Sequence, residues 1–341
     1  MPDAVAIVRR FNRSYTQRIG ALEDSFLGLG MPLGPARLLF EIAAAPAAPQ
    51  GASAAGVSAA QATVTTHALR ERLGLDSGYL SRLLRRLEAD GLVRVTHDPR
   101  DRRRRQVTLT EAGRERWREL ERRSDDQARL IVDPLTQRQR ERLARALSEA
   151  DLLVRAATVS FEPVDPASPV ARDVVGRYFA EIGRRFGFDA GGETEKDALL
   201  LVPPTGVFVV AVSDGEPVAC GGLQTLDLLA RGPQAGDPQA GDPLAADPLA
   251  GRPLTGGERV GELKRMWVHA DWRGAGLGSR LLRHLEDQAR ALGHGVVRLD
   301  TNAALAEAIS MYQRAGYRAI DRYNDNPWAT HFFEKRLEPR M

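Results

Sequence analysis

The run Arg273-Gly274-Ala275-Gly276-Leu277-Gly278-Ser279 lies between a strand pattern that ends at Val268 and an amphipathic helix pattern that runs to about Leu292. Glycines at such a turn turn backbone N–H groups toward an anion at the positive end of a helix, which suits a phosphate or pyrophosphate. The spacing Gly274, Gly276, Gly278 is not that of the dinucleotide fingerprint, and no Gly-Lys-Ser/Thr follows, so neither a Rossmann site nor a P-loop is indicated. On the strand, Glu262 stands six residues before Val268, and Tyr312 lies in the helix that follows the LDTN segment. A carboxylate that takes a proton and a phenol that gives one are the two parts of acid–base catalysis. A lone glutamate on a strand is otherwise commonly an ion-pair partner, and a tyrosine at helical spacing is commonly core; on the residues alone both readings stay open.

A different chemistry is written in the first half. Leu80, Leu83, Leu84 and Leu87 fall on one face of a helix pattern that follows Asp76, which leaves Ser77, Ser81, Arg82 and Arg85 on or beside the other. An anchored helix with a polar outer face can present donors to base edges in the major groove. Two short alternating segments, LVRVT and RQVTLT, flank HDPRDRRRR, in which five of the six residues from Arg100 to Arg105 are arginine. Arg100, Arg102 and Arg103 at the tip of such a hairpin suit phosphates or a narrow minor groove.

The elements that position these groups divide the chain in two. Up to about residue 157 the pattern is mainly helical: an apolar stripe from Val5 to Phe26, a short helix after Pro35, the helix-turn-helix with its β-hairpin wing, and two long charged helices from Thr110 and Thr136. From Phe161 strands alternate with helices, as in an α/β domain. Residues 46–64 are Ala/Ser/Gly/Pro-rich without charge and read as a flexible insertion, and four Pro-containing five-residue units from Gln234 to Pro253 read as a surface insert within about 226–257. The expected boundaries are 1–157 and 158–341.

Charge follows the same division. The 27 basic and 20 acidic side chains up to Arg155 leave +7, and the 21 and 25 beyond it leave −4, within a total of +3 over 341 residues. The basic half is thus the nucleic-acid candidate. Cys220 is the single cysteine and the three lysines all lie in the second half, at 196, 264 and 335. With no apolar run of membrane-spanning length, no signal-peptide pattern and no zinc-ligand spacing, the expectation is a cytoplasmic protein without a metal.

Two resemblances sharpen this. LGLDSGYLSRLLRRLEADGLVRV followed by DPRDRRRRQVTLTEAG resembles the recognition helix and wing of MarR-type winged-helix repressors, with the wing signature met by Asp98, Pro99, Asp101, Arg102 and Arg103. The likeness covers about residues 1–157 and implies a homodimer on a pseudo-palindromic site in double-stranded DNA, with Arg102 in the minor groove and Asp98 bracing the wing. The 46–64 insertion departs from that family's short connection.

The strand GELKRMWV, the glycine loop, LDTN and EAISMYQRAGYRAI resemble, in order, the motifs of the GNAT acetyltransferases over about residues 160–338. This implies a mixed central sheet and acetyl-CoA as co-substrate, with its pyrophosphate on Arg273, Gly274, Ala275, Gly276, Gly278 and Ser279. Main-chain groups of Met266 and Val268 would meet the acetyl carbonyl and pantetheine arm. Asn302 would bond the pantetheine amide or cap the next helix. By position Glu262 matches the general base and Tyr312 the acid, a water relay being the competing assignment for the base. Strand alternation places Glu262, Lys264 and Met266 on one face and Arg265 and Trp267 on the other. The expected function is a transcriptional regulator fused to an N-acetyltransferase acting on an amine; the alternatives are a sensor that binds acetyl-CoA without turnover, and an enzyme whose winged helix only dimerises or binds protein.

Overall fold

The computed structural model describes residues 3–21, 23–44, 63–98, 101, 104–187, 200–226 and 259–338. The four five-residue units, and the inserted tract up to residue 62, lie outside the described residues. The chain forms two compact units, Met1–Leu147 and Ser148–Met341.

In the first unit the leucine stripe does what its spacing predicts. Helix α4 (Ser77–Ala89) buries Leu80, Leu83, Leu84 and Leu87 in one core with Leu38, Leu39 and Ile42 of α2 (Leu33–Ala43) and Leu69 of α3 (Thr66–Leu73). Asp76 caps α4 by accepting from Tyr79 N, and Gly74, at φ 62°, ends α3 in the left-handed conformation that glycine adopts without strain. The wing is the antiparallel pair β2 (Val93–His97) and β3 (Arg105–Leu109), closed by Asp98 N to Arg104 O and Arg104 N to Asp101 O, both at 2.9 Å. Thr110 caps α5 (Glu111–Val132), and α6 (Gln137–Thr158) follows.

Two expectations for this half are corrected. The apolar stripe from Val5 to Phe26 does not lie on one helix: α1 (Ala4–Arg18) stops before Gly20, at φ 65°, and Phe26 enters the core from a short 3-10 turn. Thr63 and Val64, expected within the flexible insertion, belong to strand β1 (Thr63–Thr65), which joins β3 with Val64 opposite Val107. The β-branched run Thr-Val-Thr suits that edge, and Val64 is buried in the core.

The second unit is a seven-stranded mixed sheet in the order β4-β5-β6-β7-β8-β10-β9, where β4 is Ser160–Pro163, β5 Gly206–Ser213, β6 Glu216–Leu226, β7 Val260–Val268, β8 Val296–Thr301, β9 Arg318–Ala319 and β10 His331–Arg336. All neighbours are antiparallel except β7 and β8. The β5–β6 hairpin turns on Asp214 and Gly215, both at positive φ, as a two-residue turn requires. One face of the sheet packs α7 (Pro169–Phe186) through Ala171, Val174 and Val175 against Phe208, Val210, Cys220 and Trp267. The other carries α8 (Leu277–Ala291) through Leu277, Leu281, Leu282 and Leu285, with Tyr312 from α9 (Ala306–Arg314) in the same cluster. No helix of the described residues is long and apolar enough to cross a membrane.

Candidate active site

The parallel pairing of β7 and β8 runs from Val260 opposite Val296 to Leu263 opposite Leu299, and no pair follows it. Where the strands part, β7 carries a bulge: Trp267 pairs with Cys220 and Lys264 with Gly222, so Arg265 and Met266 together oppose one residue. Arg265 takes φ 54°, unusual for a side chain of its size.

The bulge overturns the expected alternation. Met266 packs with the α8 cluster, near the place where a Cβ on Gly221 would stand beside Leu281 and Leu285. Glu262 instead shares with Trp267 the face that α7 covers, since its neighbours Gln224 and Cys220 lie there. The extra residue shifts the period-two pattern by one.

Above this fork lies a cleft of about 340 Å³, walled by Tyr178, Glu181, Ile182 and Arg185 of α7, by Met266, Trp267 and Val268 of β7, by the glycine loop and by α9. Of the loop residues expected to hold a pyrophosphate, Arg273, Gly274, Gly276, Gly278 and Ser279 line it, whereas Ala275 is half-buried against the edge of the core. Gly276, at φ 76°, is the N-cap of α8 and offers no side-chain acceptor, so the first-turn N–H groups are not capped from within the helix. Gly278 is closely approached by α9: a Cβ there would stand 3.1 Å from Met311 Sδ and 3.7 Å from Val268 Cγ2.

Arg273 reaches away from the helix terminus. Its Nη2 donates to both oxygens of Glu181 at 2.6 and 2.7 Å, and its Nε and Nη2 donate to Val268 O at 3.1 and 3.0 Å. Glu181 also accepts from Trp267 Nε1 at 2.8 Å and pairs with Arg185 at 3.1 Å, and Arg185 pairs with Glu307 of α9 at 2.6 Å. Burial by itself raises the Glu181 carboxyl, but the hydrogen bonds from Arg273 and Trp267 outweigh it and hold the group below the usual carboxylate range.

Tyr312 lines the cleft from the α9 side, with its hydroxyl 3.7 Å from Met266 Sδ. Burial, with the neighbouring Tyr178 and Asp300 adding to it, pushes its phenol well above the ordinary value. Tyr178 is raised likewise, by burial and then by Asp300.

Glu262 is not among the residues that wall the cleft. It is buried, and both oxygens are engaged: Oε2 accepts from Gln224 Nε2 at 2.7 Å, while Oε1 accepts from Tyr323 at 3.0 Å and Asn324 Nδ2 at 3.2 Å and pairs with Lys264 Nζ at 3.0 Å. All four donors are protein side chains, from β6, β7 and the segment before β10. Asn302 also stands off the cleft, giving Nδ2 to Trp328 O at 2.6 Å and taking Ala304 N at 2.9 Å; the residue at the cap of α9 is Leu305. Cys220 is buried core, its thiol pushed up to about 12 by desolvation. Among the described residues no group of three His, Cys, Asp or Glu side chains is placed to hold a metal.

Sequence reasoning missed Tyr178, Glu181 and Arg185, which wall the cleft from α7. Val174, Tyr178 and Ile182 follow one another at i, i+4 and i+8, a core stripe in which a functional tyrosine does not stand out.

In the first unit, Ser77, Arg82 and Arg85 are exposed on α4 and Ser81 is half-buried. The Arg82 guanidinium lies 5.6 Å from the centroid of the Tyr79 ring, and Arg85 Nε donates to Ser81 O at 3.2 Å. Glu88 of the same helix accepts Val95 N of the wing strand at 3.1 Å, tying reading helix to wing. Arg100, Arg102 and Arg103 lie outside the described residues.

Residues 29–104 match the model of the MarR family and residues 177–317 that of the acetyltransferase (GNAT) family. Among curated proteins the chain is 39% identical over 82 residues to an IAA acetyltransferase of Azospirillum brasilense, a match that covers 23% of this chain and 52% of that protein. The chain thus spans about half the length of that relative. Among solved structures it is similar to a GNAT family acetyltransferase of Staphylococcus aureus, at 14% identity and TM-score 0.39, covering 53% of this chain and 100% of that one. It is also similar to a MarR family transcriptional regulator of Streptomyces coelicolor in complex with DNA, at 23% identity and TM-score 0.34, covering 44% and 87%. The chain joins a MarR-family segment, with its helix-turn-helix and wing, to a GNAT-family segment built on the forked mixed sheet.

Proposed function

We propose that the protein is a DNA-binding regulator and an acetyl-CoA-dependent N-acetyltransferase in one chain, and that it acts as a homodimer in the cytoplasm. The observation that carries the enzyme reading is the single cleft joining the glycine loop, the parted end of β7 and Tyr312. Its residues fit acetyl-CoA: the glycine-capped start of α8 offers N–H groups to a pyrophosphate, and the open strand end leaves room for an arm in extended form. Gly274, Gly276, Gly278 and Ser279 hold the phosphates, and Arg273 fixes the end of β7 through Val268 O. Bound acetyl-CoA supplies a thioester whose acetyl group passes to an amine. Met266 and Val268 orient that thioester, and Tyr312, kept protonated, protonates the departing sulfur.

The regulatory reading rests on α4 with Ser77, Ser81, Arg82 and Arg85, and on the wing arginines Arg100, Arg102 and Arg103. The partner is double-stranded DNA with a pseudo-palindromic site. Association of two copies is supported by α1, where Val5, Val8, Phe11 and Tyr15 are exposed along one face. The test is paired: thiol release from acetyl-CoA with a panel of amines, and a gel shift on the gene's own upstream DNA across a salt series. Acetyl-CoA binding without release from any amine would favour a sensor, and no salt-dependent shift would remove the DNA reading.

A further inference from the structure

We infer that Glu307 competes with the coenzyme for Arg185: the guanidinium nitrogen that its carboxylate holds is the one a phosphate of acetyl-CoA takes over on binding. The inference rests on the acetyltransferase reading and deepens it, since it names what sets the affinity of that same cleft.

A carboxylate and a phosphate ask the same of an arginine, charge-assisted N–H donors lying in one plane, so either can stand in the other's place. Among the described residues two carboxylates wall the cleft, and they are held differently. Glu181 is 16% exposed and accepts from Trp267 and Arg273 as well as pairing with Arg185, so it belongs to the fixed frame of the site. Glu307 is 58% exposed, and Arg185 Nη1 donates to its Oε1 at 2.6 Å. Among the described residues no second side chain donates to it.

The arginine is anchored at one end and exchangeable at the other. Its Nε stays on Glu181 at 3.1 Å, and Glu181 is fastened in turn to Arg273 of the glycine loop. Release of Glu307 therefore frees Nη1 without letting the guanidinium leave the cleft wall. The place is also the right one. Helix α7 covers one face of the sheet and α9 packs with the other, so the Arg185–Glu307 pair reaches across the mouth of the cleft between them. The charged groups that wall the cleft are Glu181, Arg185, Arg273, Glu307 and Arg314, three guanidiniums against two carboxylates, which leaves a positive surplus for an anion.

Displacement is cheap for Glu307. It lies in the first turn of α9, where its carboxyl accepts its own backbone N–H and where a helix N-terminus favours negative charge. The hydrogen bond from Arg185, and then that backbone bond, hold the carboxyl below the usual carboxylate range, so the competing group is an anion throughout neutral pH. The exchange makes and breaks no covalent bond; one anion replaces another on Arg185.

The test uses the full chain and a two-residue cycle, E307Q, R185Q and the pair together. Calorimetry gives the dissociation constant of acetyl-CoA, and competition against it gives that of S-acetylpantetheine, which carries no phosphate. E307Q is expected to bind acetyl-CoA about three- to fivefold more tightly than wild type, and S-acetylpantetheine no differently. R185Q is expected to bind acetyl-CoA at least about fivefold more weakly, and in that background E307Q is expected to change nothing, because the two residues act through one another. If R185Q does not fold, R185M takes its place in the cycle, keeping the stem and losing the cation. Unchanged or weaker acetyl-CoA binding by E307Q overturns the inference. So does an equal gain in the R185Q background, which would be repulsion through space, and so does an equal gain for S-acetylpantetheine, which would be a wider cleft. Failure of every variant, wild type included, to bind acetyl-CoA removes the acetyltransferase reading itself and the inference with it.

Discussion

Arg273 grips Glu181 through both carboxylate oxygens, at 2.6 and 2.7 Å, while the same guanidinium holds the carbonyl of Val268. One side chain thus fastens the glycine loop to α7 and to the end of β7. Both contacts to the carboxylate come from Nη2, a charge-assisted pair shared by one nitrogen.

The pair gives a pH-dependent stability. A carboxyl whose folded pKa is depressed contributes stability that is present above its unfolded value, about 4.3, and is lost as pH falls through the folded value. E181Q is expected to be less stable than wild type at pH 7 by about 1–2 kcal/mol, a figure reduced for the partial exposure of Arg273. The gap is expected to close below about pH 4, which urea titrations at pH 7, 5 and 3.5 will show; a constant gap refutes the assignment.

Tyr312→Phe separates chemistry from packing. Among the described residues the hydroxyl has one hydrogen-bond partner, Met266 Sδ at 3.7 Å, so the melting temperature is expected to stay within the shift of about 1 kcal/mol. The turnover number is expected to fall by about 10²-fold or more. Because burial raises this phenol, wild-type kcat should show no alkaline limb from it below about pH 10.

Two glycine substitutions should act oppositely. A Cβ on Gly113, at the start of α5, would fall 1.9 Å from Leu92 O, a backbone atom that cannot swing aside; Gly113→Ala is expected to destabilise the first unit by about 3 kcal/mol or more. A Cβ on Gly176, within α7, meets nothing within 4 Å, so Gly176→Ala should stabilise the second unit by about 0.5–1 kcal/mol. Differential scanning calorimetry of the two variants reads both.

For DNA, Arg85→Ala is expected to cost about 1–3 kcal/mol on the specific site, measured by fluorescence anisotropy, and much less on random duplex. Arg82→Ala also loses the contact with Tyr79, so Tyr79→Leu should weaken specific binding in the same direction but by less. Equal losses on specific and random DNA would show that these arginines read phosphate alone.

Much of this was legible in the residues. The leucine stripe of α4, the caps Asp76 and Thr110, the wing and the glycine loop each depend on local spacing, and local spacing is what a sequence displays. The bulge in β7 was not legible, because Arg265 at positive φ carries no glycine to announce it, and alternation then misplaces Met266. Glu262 was noticed for its position and not for its four donors, three of which come from residues 38 to 62 positions away. Tyr178 and Glu181 were passed over as part of a helix stripe, since their place comes from how α7 covers the sheet beside the end of β7. The strand formed by Thr63–Thr65 was lost at the edge of a low-complexity tract, where composition hid a three-residue β-branched run.

The bulge also sets which residues of β7 serve which side of the sheet. Glu262 and Trp267 lie on the α7 side, whereas Leu263, Met266 and Val268 pack with the α8 cluster, so both halves of the strand contribute to both faces. Removing a single residue at 265 would abolish the bulge and leave Lys264 and Met266 on opposite faces by simple alternation. A shortened strand would therefore keep its facing order and lose the irregularity that marks where β7 leaves β8.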